Sequence, residues 1–554
     1  MSANSFESPD STPATATQLP QSPPVQGDEL SDLQTPRLAD ASLPSSTAAI
    51  GTASADNADN ADDHSPVMPQ EPKCAEPPMS PPPNRIDDMV KELQQIEVFH
   101  DEHKRPYASV LLGGHVEHLE IGSETFTQHL DAVAYRKWKR GLMKHQHDEV
   151  VSVLRAKAIH EGPTHPVHLR VAPGDSSLYI DLVDKDRWSV EVTAQGWTLT
   201  QTPPVRFCRP PMMAALPTPM RGGQINDLRP FLNCTDGGFK MIVGFILASF
   251  RAKGPYPILE LVGEKGTSKS TTTRLVQALI DPSQGHLGSP ISSEEQLAMR
   301  AKHSWLVTLD NCSGATDSLS DMLCRLATGG AFTKRELYTN TTQITMDYCR
   351  PCVINGIENI AKRADLLDRC WGWELSRIDS SRRKTEADLW ADFAAKAPGI
   401  FGAICDALVV AVREENNVKL QSMDRLADAE RWVTAAAPAI GWPAGAFQAV
   451  LRERRTEVVH RALDEYPAIW TAMKRLAAAS WSGPVSELQD QLGCGSMKPS
   501  AFGGLMRRLT PDLAAVGIEL KKLRQGHASA RWYSVKSVVG IVGIDGMGSE
   551  DDAA

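Results

Sequence analysis

Gly263-Glu264-Lys265-Gly266-Thr267-Ser268-Lys269-Ser270 is the stretch on which the reading of this chain turns. An apolar run, Ile258-Leu259-Glu260-Leu261-Val262, precedes it, and a helical pattern starts near Lys269. Strand, glycine-bearing loop and helix in that order are what a phosphate-binding loop needs. Backbone N–H groups in the loop and at the helix start would cradle phosphates. Lys269 would reach the β and γ oxygens, and the Ser270 hydroxyl would hold Mg²⁺. The nucleotide-binding set is therefore Gly263, Glu264, Lys265, Gly266, Thr267, Ser268, Lys269, Ser270 and Thr271. One position departs from the usual pattern: Ser268 stands where a glycine commonly precedes the lysine.

Working outward, residues 225–380 alternate helix and strand. Phe239 to Phe250 predicts an apolar helix. Trp305 to Leu309, Cys352 to Ile354 and Cys370 to Leu375 predict three more strands. This pattern implies a parallel α/β sheet with helices on its faces. The strand at 305–309 ends in Asp310-Asn311, and an aspartate there is placed to hold Mg²⁺ through water, together with Ser270. Many ATPases put a glutamate at the position of Asn311. Asn can position water but is a poor base, so the speed of hydrolysis is in question more than binding.

The order GEKGTSKS, LDN, INGIEN and RADLLDR resembles the ATPase core of AAA+ proteins, in particular superfamily 3 and phage or plasmid primase-associated helicases. Bacterial and prophage ATP-binding proteins with a GEQGSAKST-type loop are similar over most of residues 90–535. The resemblance implies roles for further residues. Asn355 would be the sensor of the γ-phosphate or of the attacking water. Arg369, with Arg363 second, would be an arginine finger facing the next subunit's nucleotide. Lys334 and Arg335 would belong to a basic hairpin reaching towards DNA in the channel of a ring. ATP and Mg²⁺ are the expected cofactors, DNA and further copies of this chain the expected partners, and a DNA-acting ATPase or helicase of mobile-element replication the expected function. A nucleotide-gated regulator with little hydrolysis is the first alternative, a small-molecule P-loop kinase the second.

The flanks are read from composition. Residues 1–84 hold twelve Asp/Glu against Arg37 and Lys73, so they carry the whole net charge of −10. Rich in Pro and Ser and without apolar periodicity, they predict a disordered tail. Residues 87–205 predict a small α/β domain, with a helix from Phe126 to Met143 and a hairpin joining Ser177–Val183 to Trp188–Val192. Residues 206–224 predict a linker and 381–480 a helical region. Residues 484–538 predict a winged-helix-like module, with Arg507, Arg508, Lys521, Lys522 and Arg524 as DNA candidates. A flexible tail, 539–554, follows.

Ten cysteines scattered over 554 residues suggest reduced thiols. No membrane span or signal segment is expected, which predicts a cytoplasmic protein. Cys349-Arg350-Pro351-Cys352 lacks the second ligand pair a structural zinc needs, and the His-x-x-His pairs at 100/103 and 115/118, on either side of a predicted strand, read as surface scatter.

Overall fold

In the computed structural model of the chain, the described residues are 85–285, 287–335, 343–379, 383–420, 425–464, 466–524 and 531–538. The acidic tail 1–84, the tail 539–554 and the turn around 525–530 lie outside them. The architecture is mixed α/β, with six separate sheets among the described residues.

Four parallel strands form the central sheet, in the order Val307–Cys312, Cys352–Gly356, Ile258–Val262, Cys370–Glu374. The strands Ile258–Val262 and Cys352–Gly356 are buried throughout. Runs such as Ile-Leu-Glu-Leu-Val suit such a sheet, because both of its faces are covered and alternation is not required. Helix Asp236–Ser249 is apolar nearly all round, as a fully buried helix must be. It packs with the P-loop strand, helix Lys269–Ile280 and helix Glu386–Glu414.

That last helix and its 3₁₀ extension, Glu386–Asn417, is the one described helix long and apolar enough to cross a membrane. Here its apolar residues, among them Phe393, Ile400, Phe401, Ile404 and Leu408, belong to the main core instead.

Glu260 is the one acidic side chain within the P-loop strand, and it is buried. Its Oε1 accepts from the backbone N–H groups of Ile360 (2.7 Å) and Ala361 (2.8 Å). A carboxylate inside the sheet is thus held by donors from the loop that leaves the Asn355 strand.

The α/β element expected over 87–205 divides between two cores. Strands Glu97–His100, Pro106–Leu112 and His115–Glu120 make an antiparallel sheet packed with helices Arg85–Glu92, Glu124–Trp138 and Lys144–His160. The second sheet, strands Val171–Pro173, Ser177–Asp181, Ser189–Thr193 and Trp197–Thr200, sends Ile180, Val190, Val192 and Trp197 into the main core. The helix expected to run to Met143 stops at Trp138, because Lys139 adopts φ 56°. A left-handed residue ends the intrahelical ladder, and a separate helix begins at Lys144.

The C-terminal module has its own core. Helices Val485–Gln491 and Pro499–Ala515 pack on a three-stranded antiparallel sheet ordered Ser482–Pro484, Arg531–Ser537, Ile518–Arg524.

Candidate functional site

The strand order brings three segments to one place. The P-loop strand, the Asp310 strand and the Asn355 strand run parallel, so their C-terminal ends lie on the same edge of the sheet. In open α/β sheets this edge is where ligands bind. The Asn355 strand lies between the other two.

The P-loop bends in three left-handed steps, Gly263 (φ 151°), Gly266 (φ 82°) and Ser268 (φ 66°). A Cβ on Gly263 would come 2.5 Å from the Leu375 carbonyl oxygen, so only glycine fits. Ser268 takes the same kind of backbone as the glycine it replaces, at a steric cost of about 1–2 kcal/mol. The sequence departure is thus absorbed as local strain, and helix Lys269–Ile280 starts on the next residue. Thr267 Oγ1 donates to the Glu264 carbonyl (3.0 Å) and ties the loop across itself.

Lys269 Nζ donates to the carbonyl oxygens of Gly263 (2.7 Å) and Glu264 (2.8 Å). Partial burial holds its pKa below the usual lysine value, against the opposing pull of Asp310. An ammonium tied to two loop carbonyls can exchange them for phosphate oxygens without crossing the site.

Ser270 Oγ donates to Asp310 Oδ1 at 2.8 Å. Asn355 Nδ2 donates to the same Oδ1 (2.7 Å) and to Thr273 Oγ1 (2.9 Å), while its Oδ1 accepts from the Asn311 N–H (3.0 Å). Asn355 is buried, so its amide is fixed by partners on both sides. Asn311 has φ 57° and sits in a register shift between Leu309 and Cys312. Asn tolerates this conformation better than most residues. The bulge is where the strand delivers Asp310 to Ser270. The Asn311 side chain is exposed.

A cleft of about 520 Å³ opens over the loop. Its polar wall is Gly266 to Thr271, and Phe231, Leu232, Ile378 and Leu389 supply apolar surface. Such a mixture fits a ligand with a charged end and a flat apolar end. A hydroxyl and a carboxylate sharing one oxygen contact also fit a hard divalent cation, which prefers oxygen donors. Residues 263–271, Asp310 and Asn355 therefore suit a nucleotide with Mg²⁺.

Two basic residues in this cleft carry no motif: Arg383 and Lys384, from the start of the long helical segment. The Arg383 Nη2 lies 3.7 Å from where a Cβ of Gly266 would be. Their separation of more than a hundred positions from the loop hid them in the sequence. The only available signal was a run of three cations, Arg382-Arg383-Lys384, just before the helix start at Glu386.

Arg363 and Arg369 do not line this cleft. The Arg369 carbonyl accepts from the Ile258 N–H (2.9 Å), at the opposite, N-terminal end of the sheet. Its guanidinium donates to the Asp365 carbonyl. Arg363 is held by Asp365 (2.9 Å) and Asp321 (2.9 Å), with Asp317 at 3.7 Å. Lys334 and Arg335 end the described part of a hairpin, Gly330–Arg335 paired with Gln343–Tyr348. In the C-terminal module Arg507, Arg508, Lys521 and Lys522 are exposed, Arg508 donating to the Tyr466 hydroxyl (2.9 Å) and Lys521 pairing with Glu519 (2.6 Å). Arg524 ends the strand Ile518–Arg524. Among the described residues no group of three or more His, Cys, Asp or Glu could hold a metal ion.

Residues 228–451 match the family model described as an actinomycete integrative conjugative element replication protein. The matched segment contains the P-loop, Asp310, Asn355, Arg369 and Arg383, and relates the site-bearing part of the chain to mobile-element replication. No curated protein matches the chain. Among solved structures, the A form apo structure of the NrS-1 C-terminal region is 11% identical, covers 81% of this chain and 98% of its own, and has a TM-score of 0.38. A second apo structure of the same region is 12% identical, covers 81% and 97%, and has a TM-score of 0.37.

Proposed function

We propose that this chain is an ATP-dependent replication protein of a mobile element, an AAA+ ATPase that acts on DNA as an oligomer. The observation that carries the reading is the chain of contacts Ser270–Asp310–Asn355–Asn311, which joins loop, second strand and middle strand at one edge. A structural role alone does not call for a serine, an aspartate and a buried asparagine to converge beside a lysine at the start of a helix.

In this reading Lys269 and the loop N–H groups bind the phosphates, and Arg383 adds positive charge from the far wall. Ser270 and Asp310 would hold Mg²⁺, which would supply positive charge against the phosphates. Asn355 fixes the Asp310 carboxylate and orients the Asn311 backbone. Phe231, Leu232, Ile378 and Leu389 exclude water from the apolar side of the cleft. Arg369, at the opposite end of the sheet, serves the nucleotide of a neighbouring copy. Lys334 and Arg335, on their hairpin, contact DNA, and the C-terminal module, read as a winged helix, adds a second basic surface.

The test is ATP turnover by the full chain with and without single-stranded DNA, paired with its mass in ATP. DNA-stimulated turnover by an oligomer supports the reading. Turnover by a strict monomer, indifferent to DNA, ends it. A second reading, a nucleotide-gated binding switch, is favoured by Asn311, which provides no carboxylate base beside Asp310. Tight ATP binding that alters DNA affinity without turnover would select it.

A further inference from the structure

Residues 132–147, running AVAYRKWKRGLMKHQH, contain five Lys/Arg and no Asp or Glu. Over the whole chain acidic residues outnumber basic ones, 68 to 58. The fold turns this run into a corner between two helices. Helix Glu124–Trp138 ends at Lys139 in the left-handed conformation, and helix Lys144–His160 starts five residues later.

Arg136, Lys137, Lys139, Arg140 and Lys144 are all exposed on this corner. Lys137 pairs with Glu92 at 2.7 Å. Among the described residues no carboxylate pairs with Arg136, Lys139, Arg140 or Lys144.

The second helix departs from the usual electrostatics of helix ends. Its first turn holds no acidic residue and begins with Lys144. The N-terminus of a helix is its positive end, where cations are unfavourable and anions are stabilised. Lys144 stands at that positive end, beside Lys139 and Arg140 of the connecting turn. Two flat or apolar side chains stand beside them, Tyr135 (60% exposed) and Met143 (63% exposed). The Lys139 ammonium lies 5.4 Å from the Tyr135 ring centroid. Clustered cations interleaved with an exposed ring are the chemistry that holds a nucleic-acid strand, by phosphate contact and base stacking.

We infer that this corner is a binding surface for single-stranded DNA, separate from the hairpin and the C-terminal module. Arg136, Lys139, Arg140 and Lys144 contact phosphates, and Tyr135 stacks on a base. The inference rests on the reading of the chain as DNA-acting, but it concerns a surface remote in sequence from the nucleotide site.

The experiment compares the full chain with the quadruple variant Arg136→Ala/Lys139→Ala/Arg140→Ala/Lys144→Ala. Anisotropy of a fluorescent oligothymidine is measured between 50 and 200 mM salt. Four lost phosphate contacts are expected to weaken binding at least tenfold at low salt. They should also flatten the slope of log K against log[salt] by about 2–3, at roughly 0.7 per single-strand contact. Tyr135→Ala is expected to weaken binding about tenfold with the slope unchanged. Arg136→Lys/Arg140→Lys, which keeps the charge, is expected to bind like wild type. Turnover without DNA should be equal in all of them, which also checks the fold.

Wild-type affinity and slope in the quadruple variant overturn the inference, as does failure of the full chain to bind the oligonucleotide. The two readings separate cleanly. Loss of binding in the variant with no ATP turnover in any protein leaves the corner standing and ends the motor. Equal DNA-stimulated turnover in variant and wild type, with equal affinity, does the reverse.

Discussion

The two ends of the central parallel sheet carry opposite kinds of polar residue. At the C-terminal end Lys269, Ser270, Asp310 and Asn355 are bonded to one another or to loop backbone, within 2.7–2.8 Å. At the N-terminal end Arg369 donates to the Asp365 carbonyl of its own turn, and Arg363 pairs with Asp365 and with Asp317 and Asp321 of helix Asp317–Thr328. The first set is preassembled around a space that a ligand could enter. Neither arginine lines the cleft over the loop. If Arg369, at the other end of the sheet, serves the same reaction, the reaction needs two copies, each offering a different end of its sheet.

The largest expected effect tests the first end. Lys269→Ala should weaken ATP binding by roughly 10²-fold or more. It removes charge-assisted hydrogen bonds that contribute about 1.5–3 kcal/mol each. The measurement is titration with a fluorescent ATP analogue. Retained binding would show that the Ser270–Asp310 contact belongs to the fold and not to a nucleotide site.

Next in size is Arg369→Ala. ATP affinity should stay within about threefold, while turnover falls roughly 10³-fold, the lower range for an arginine finger. A mixture of Arg369→Ala and Lys269→Ala chains should then regain turnover, because a mixed interface joins an intact loop to an intact arginine. Co-assembly of the two variants without recovery would confine Arg369 to a structural role at its own end of the sheet.

Glu260→Ala tests what holds the two ends in register. The substitution strips the Ile360 and Ala361 N–H groups of their buried acceptor and should lower stability by about 2–4 kcal/mol. Denaturant unfolding measures it, and Glu260→Gln, which keeps an acceptor oxygen, should recover at least half. A loss below about 1 kcal/mol for Glu260→Ala would mean that the loop behind Asn355 finds other partners. By contrast Arg363→Ala, a surface cation shared among three carboxylates, should leave turnover within about twofold of wild type. A large loss there would exchange the roles given to Arg363 and Arg369.

How much of this was legible in the sequence follows from distance along the chain. The P-loop and its strand and helix are contiguous, so apolar run, glycines and lysine could be read together. Asp310 and Asn355 could be placed because each ends a short apolar run. Strand order could not be read, since which strand lies between the other two is decided by packing of the whole core. Arg383 and Lys384 were missed because nothing local distinguishes a cation before a helix from a cation over a cleft. The hairpin over 177–192 was legible from alternation, but not that its sheet enters the main core through Ile180, Val190 and Trp197. The break at Lys139 was hidden too, because a lysine carries no signature of left-handed backbone.

The smallest expected effect lies at Ser268, where sequence and geometry meet. Its φ of 66° is a glycine conformation held by a residue with a Cβ. Ser268→Gly relieves about 1–2 kcal/mol of strain and returns about 0.4–1 kcal/mol through the greater freedom of the unfolded chain. The net change should be a gain of about 1 kcal/mol or less, read from denaturant midpoints at constant slope. ATP affinity should rise slightly or stay level, since the loop backbone keeps its path. Ser268→Val, branched at Cβ, should instead lose stability and nucleotide binding together. If Ser268→Gly weakened binding while stabilising the fold, the serine hydroxyl would have to be counted among the groups that touch the nucleotide. The C-terminal end of the sheet would then hold one more polar contact than Lys269, Ser270, Asp310 and Asn355 provide.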